Sequence, residues 1–347
     1  LALVGGVVVG GGLVQSLGTD HVLSARQHLH GEVGVGEVDL HHIDLAVGTV
    51  GGAADRHIRP FHTGFGADND DRGFELDRSY LGYQYSFGKG LQVKAVMDIG
   101  KSSDVDDYHH IAYVKNAQVT WKPGRWTLDG GLISTTQFKV QEKHWGYRYI
   151  MKSFQDEYKF GSSADLGISA AYKFNDVVSA DAIIVNGEGY KKVQVKDGLQ
   201  YGLGATITPV KGLTLRVYGS LNESAQKGAK DAYNWAAFAG YQNDRFSLGA
   251  EYNIYQNTGF VNDADQYGLS VYGTAHLSKV VDVFARYDYL TSKDDWNIGK
   301  DESAAMLGAQ FKVCKYVKIA PNFRMNIPSA DGADNGYSAY VSCYFGI

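Results

Sequence analysis

Nine basic residues, Arg78, Lys94, Lys122, Lys173, Arg216, Arg286, Lys312, Lys318 and Arg324, share one property with seven acidic ones, Asp98, Asp129, Asp165, Asp181, Glu251, Asp282 and Asp288. All fall on the polar side of stretches whose alternate positions are apolar. In a dry core such groups would be very costly. In a water-filled lumen they are solvated, and their chemistry is electrostatic: they set a field that favours one sign of passing ion. Catalysis is not expected. No G-x-S-x-G, Walker or dinucleotide-binding glycine pattern is present, and no Ser/His/acid set lies on neighbouring stretches.

Metal chemistry has weaker candidates. His28, His30, His41 and His42 pair up near the start, and His109-His110 stand beside Asp106 and Asp107. The second set has better ligand types, although a solvated loop is the plainer reading. The run Asp68-Asn69-Asp70-Asp71-Arg72-Gly73 resembles the start of a calcium loop. Arg72 occupies a ligand position, however, and Ser79 stands where a bidentate Glu belongs. No metal or other cofactor is expected.

The elements that position the charges are strands. From Phe74 onward, apolar residues recur with a period of two, the mark of a strand between two different surroundings. Leu81, Tyr83, Tyr85 and Phe87 form one such series. Leu166, Ile168, Ala170, Tyr172 and Phe174 form another, and Tyr233, Trp235, Ala237, Ala239 and Tyr241 a third. The last series, Tyr337, Ala339, Val341, Cys343, Phe345 and Ile347, runs to the end of the chain. An aromatic-rich free edge is a liability unless it pairs with the first strand and closes a barrel.

Short turns alternate with long loops along the chain. The seven turns and eight loops make fifteen connections and so require sixteen strands. No run of about 18 apolar residues exists to form a spanning helix. The expectation is an all-β fold: a 16-stranded antiparallel transmembrane β-barrel with long outer loops and short periplasmic turns. The low proline content, 5 residues against 43 Gly and 24 Tyr, suits many paired strands. A net charge of −5 argues against nucleic acid as a partner.

The longest loop, 134–163, differs from the others. It carries Lys139, Lys143, Arg148, Lys152 and Lys159 together with Phe138, Trp145, Tyr147, Tyr149, Ile150, Met151, Phe154 and Tyr158. A loop in water has no use for so many aromatics. We expect it to fold into the lumen and narrow it, with its basic residues giving a moderate preference for anions. An apolar cap over the mouth is the alternative. Asp68, Asp104, Asp263, Asp294, Asp331 and their neighbours fall in the other outer loops. They serve solubility there, or bridge through divalent cations to lipopolysaccharide phosphates.

Residues 1–59 break the pattern. Residues 1–60 hold no Phe, Tyr, Trp or Lys but six of the eleven histidines. The apolar start lacks a basic flank and makes a poor signal peptide. This segment is expected to stand apart from a barrel formed by 60–347, either as a flexible extension or as translation from another reading frame. The first strand is then expected to end near 61–66. Cys314 and Cys343 are expected to be free, because an intervening strand separates them by roughly 10 Å, too far for a disulfide.

Residues 74–85, FELDRSYLGYQY, resemble the second strand of porins of the phosphate-selective O/P type, especially those of Bacteroidetes. Residues 96–100 (VMDIG), 117–123 (AQVTWKP) and 131–133 (GLI) continue the likeness, which covers roughly 61–347. The resemblance implies a sixteen-stranded, usually trimeric porin with an infolded third loop. The family's basic ladder and lysine-lined constriction do not match this sequence residue by residue. The reading is therefore an outer-membrane porin for passive diffusion of small hydrophilic solutes and ions, with weak anion preference. Its pore would be lined by Arg78, Lys94, Asp98, Lys122, Asp129, Lys173, Arg216, Glu251, Arg286, Asp288 and Arg324. The alternative is a plugged structural or surface-interaction barrel.

Overall fold

Among the described residues, sixteen antiparallel strands form one sheet that closes on itself. The structure is a computed structural model and describes residues 43–47, 74–102, 106–192 and 198–346. The first half of the wall comprises β1 (Ile43–Val47), β2 (Glu75–Gly88), β3 (Leu91–Ser102), β4 (Asp106–Trp121), β5 (Trp126–Ser134), β6 (Ala164–Lys173), β7 (Val178–Val185) and β8 (Gln200–Ile207). The second half comprises β9 (Leu213–Asn222), β10 (Ala232–Gln242), β11 (Phe246–Gln256), β12 (Gln266–His276), β13 (Val281–Ser292), β14 (Glu302–Lys312), β15 (Val317–Pro328) and β16 (Gly336–Phe345). Each strand pairs with its sequence neighbours, and β1 also pairs with β16. Among the described residues no helix is long and apolar enough to cross a membrane.

The period of two maps onto the two sides of the wall. In β10, Tyr233, Trp235, Ala237 and Ala239 are exposed outward, whereas Asn234, Ala236, Phe238 and Gly240 between them are buried. Leu203, Val217, Leu248, Val271 and Leu307 are likewise exposed on the outside. These side chains form an apolar band suited to hydrocarbon. Cys314 lies in an exposed turn, Cys343 lies in β16, and both are free thiols.

Two elements differ from expectation. The strand that completes the circle is Ile43–Val47, inside the segment expected to stand apart from the barrel. The expected end of the first strand, 61–66, lies outside the described residues, as do the other residues of 1–59. The physical reason is legible in the chain: Ile43, Leu45 and Val47 repeat the apolar spacing of two, with Asp44 and Ala46 between them. The backbone of this strand pairs with Val341–Phe345 on one side and with β2 on the other. Strand β4 is also longer than expected. It begins at Asp106, so His109 and His110 lie within a strand, with His110 opposite Lys101 and His109 at a register irregularity. No group of three or more metal-ligating side chains exists among the described residues.

The outward face makes a simple prediction. Leu203 is 69% exposed in the middle of β8. Leu203→Arg should cost about 2–4 kcal/mol of unfolding free energy in a bilayer. Lumen-facing Thr214→Lys should change it by less than about 1 kcal/mol. Denaturant titration of the barrel in lipid vesicles measures both.

Candidate functional site

The loop between β5 and β6 lies inside the barrel. It contains two short helices, α1 (Lys139–Trp145) and α2 (Phe154–Glu157). Gly146 ends α1 in the left-handed region at φ 72°, and its N–H donates to Glu142 O. This cap turns the chain back, so that Trp145, Tyr147, Tyr149 and Ile150 pack against one side of the lumen. They meet Phe238, Tyr272, Phe284, Met306 and Ala320 from β10 and β12–β15. Phe154 and Phe160 form a second cluster with Leu290. The aromatic content of the loop thus serves a core within the lumen, not a cap over its mouth.

Two glycines in the wall admit this close approach. A Cβ on Gly268 would stand 2.1 Å from Phe154 Cζ, and one on Gly240 would stand 2.7 Å from His144 Cε1. Any larger residue at either position would collide with a ring of the loop.

Three of the arginines expected to line the pore hold this loop instead. Arg216 on β9 forks onto Asp181 at 2.6 and 3.0 Å and donates to Thr136 O at 2.8 Å. Arg286 on β13 forks onto Asp288 at 2.8 and 2.7 Å and donates to Lys152 O at 2.6 Å. Arg324 on β15 donates to Ile150 O and to Asn322 Oδ1, with its guanidinium over the Tyr340 ring. Arg216, Arg286, Asp288 and Glu251 are buried behind the loop, away from any passage. A buried guanidinium needs both a counter-charge and acceptors for its remaining N–H groups, and the loop supplies one carbonyl acceptor to each of the three arginines.

Other expected lining residues also have local partners. Asp129 accepts from Gln118, Thr120 and Ser169. Lys122 reaches Gln92 beside a short turn, and exposed Lys173 pairs with Asp176 at another. Within the loop, Arg148 bridges Glu142 and Asp156, at 3.1 and 2.5 Å.

An open cavity of about 240 Å³ remains between the loop and the opposite wall, β2–β5. Its charged lining is Lys94, Lys115, Lys139, Arg148 and Glu142, with Tyr80 and Asn116 beside them. Of the loop's basic residues, then, Lys139 and Arg148 line this cavity, whereas Lys143, Lys152 and Lys159 do not. Above it, Arg78 pairs with Asp98 at 3.1 Å, and Asp98 also accepts from Tyr190. Tyr80 OH accepts from Lys115 Nζ at 3.0 Å and from Arg78 at 3.2 Å.

Lys115 reaches the lumen through a β-bulge. In the β3–β4 ladder Val96 pairs with Asn116 and Met97 with Val114, so Lys115 is the extra residue. Counting back by twos from outward Ala117 would have pointed Lys115 at lipid. The bulge turns it inward, a common use of such irregularities beside functional sites. Alternation alone misses Lys115, whereas Tyr80 shares the inward parity of Arg78. The available signal was the conflict itself, a lysine at a position assigned to hydrocarbon.

The Arg148 clip responds to acid. Burial raises the Asp156 carboxyl, but the Arg148 guanidinium beside it, together with Lys152, Lys115 and Arg78, outweighs this and holds it below the ordinary carboxylate range. A carboxyl lowered by folding adds stability above its unfolded value. That contribution is lost as pH falls through the lowered folded value. Near-ultraviolet circular dichroism of the loop aromatics should therefore stay constant through the ordinary Asp range and change only at more acidic pH. In Arg148→Met the change should begin at higher pH.

No family model matches the sequence, and no curated protein does. Solved structures do match. An anion-selective porin from Comamonas acidovorans aligns at 14% identity and a TM-score of 0.65, covering 88% of this chain and 98% of its own. Pseudomonas putida OprB aligns at 13% identity and 0.65, covering 88% and 93%. The trimer form of Vibrio cholerae OmpT, an outer membrane protein, aligns at 14% identity and 0.53, covering 88% and 98%. The fold of this chain is that of the bacterial outer-membrane porins.

Proposed function

We propose that the protein is a porin of a bacterial outer membrane, a water-filled channel for passive diffusion of small hydrophilic solutes with a preference for anions. The observation that carries this reading is the charge of the passage beside the infolded loop. Lys94, Lys115, Lys139 and Arg148 line it against a single acid, Glu142, which is itself paired to Arg148. Basic side chains at a constriction lower the barrier for anions and raise it for cations. Oxyanions such as phosphate gain most, because ammonium and guanidinium groups suit their oxygens. Tyr80 adds to this. Its oxygen accepts from Lys115 and Arg78, which leaves its own hydrogen to donate.

The porin works without a cofactor and without catalysis, as a homotrimer whose outer face meets lipid and lipopolysaccharide. A second reading, a plugged structural barrel, draws on the aromatic core that fills much of the lumen. Single-channel recording in planar bilayers separates the two. A porin gives discrete conductance steps, and its reversal potential in a KCl gradient has the sign of anion permeation. Lys115→Glu should move that potential toward cation permeation, and the outward-facing control Val114→Leu should not. The absence of steps would favour the plug.

A further inference from the structure

The seam between the infolded loop and the wall is polar and incompletely bonded. On the loop side, buried atoms of Gln141, Ser153 and Gln155 lack hydrogen-bond partners among the described residues. On the wall side the same holds for Asn234 Oδ1, Glu251 Oε1, Asn253 Oδ1 and Ser270 Oγ. Glu251 stands at the centre of this patch. It is 2% exposed, and its Cα partners are Phe238 on β10 and Ser270 on β12. Asn253 Nδ2 donates to its Oε2 at 3.2 Å, while Oε1 has no partner within hydrogen-bond distance among the described residues. The Gln155 carboxamide of α2 faces it from the loop.

The charges around Glu251 do not balance it. Arg286 and Asp288 face it from β13, Tyr272 from β12, and Tyr158 of the loop lies near Arg286. Arg286 directs Nε and one terminal nitrogen at Asp288 and the other at Lys152 O. One guanidinium thus serves two buried carboxyls and donates to only one of them. A proton on Glu251 resolves both problems. It removes the second negative charge, and it supplies an O–H for a patch in which Asn253 Oδ1 and Ser270 Oγ have no donor. An ionised Glu251 in the same place is an uncompensated buried charge. Water can relieve it only if α2 lifts, and Phe154 of α2 sits on Gly268, the Cα partner of Asn253.

We propose that Glu251 is a positioning residue whose protonation seats the infolded loop, and that its ionisation releases α2 and widens the channel as pH rises. This rests on the reading that the passage conducts, so the test has one arm that needs no conduction. The first arm compares single-channel conductance of the wild type and Glu251→Gln from about pH 5 to about pH 9, a span that covers buried carboxyls. Wild-type conductance should rise with pH, and Glu251→Gln should keep the acidic value throughout. The second arm measures backbone hydrogen exchange at 153–158 in both proteins at matched pH. The wild type should lose protection relative to Glu251→Gln at the alkaline end and equal it at the acidic end.

Identical pH profiles in both proteins would overturn the proposal. So would failure of Glu251→Gln to fold as a barrel, since the neutral isostere is the form the seated loop requires. An exchange difference without conductance in either protein would support the seating role and sink the channel reading instead.

Discussion

Hydrocarbon offers no hydrogen bonds, so a strand that faces it cannot leave its edge unpaired. Every other feature of this protein follows from meeting that demand by closure. Closing the sheet fixes an inside and an outside. The period of two then sends the apolar half of each strand outward and the polar half inward. The terminal strand β16 meets its partner in the short β1, Ile43–Val47, and without that pairing two edges would stand open. Sixteen strands also make the lumen too wide for side chains alone to fill. The interior therefore needs a separate element to shape it, and the loop between β5 and β6 is that element.

Shaping the lumen divides its charges into two populations. Those on β9–β15 are structural. Arg216, Arg286 and Arg324 are tied to loop carbonyls, and the first two are also forked onto carboxylates. Their value lies in geometry, since a buried ion pair gains little net free energy but is very costly to break. Those on the β2–β4 side, with Lys139 and Arg148 of the loop, face the passage. One chain thus uses arginine mainly as a bracket and lysine mainly as a field source. Arginine's planar fork suits several fixed acceptors, and the lysine ammonium acts as a mobile point charge.

Much of this was legible in the sequence. Tyr233 to Tyr241 declared their strand by alternation, and the aromatic run from Trp145 to Tyr158 declared a loop that needed burial. Trp145 against Phe284 and Tyr272 is where that burial occurs. The role of Arg286 was not legible, because inward direction follows from parity whereas its bond to Lys152 O joins residues 134 positions apart. Lys115 was hidden for another reason. A bulge adds one residue to one strand and changes no composition, so period counting passes through it and assigns the wrong face. The closing strand was obscured by its setting, five residues with a single polar position in a stretch without aromatics.

The long reach of the loop's contacts bears on assembly. The loop leaves the wall after β5, yet it is held by strands made much later. Tyr149 bonds Gln310 across 161 residues, and Arg324 reaches Ile150 across 174. Contacts this distant in sequence form late, because the intervening chain must first be ordered. The loop is accordingly seated only once β13 to β15 have joined the wall to receive it. The width of the lumen is thus settled late, by strands far along the chain from the loop that narrows it.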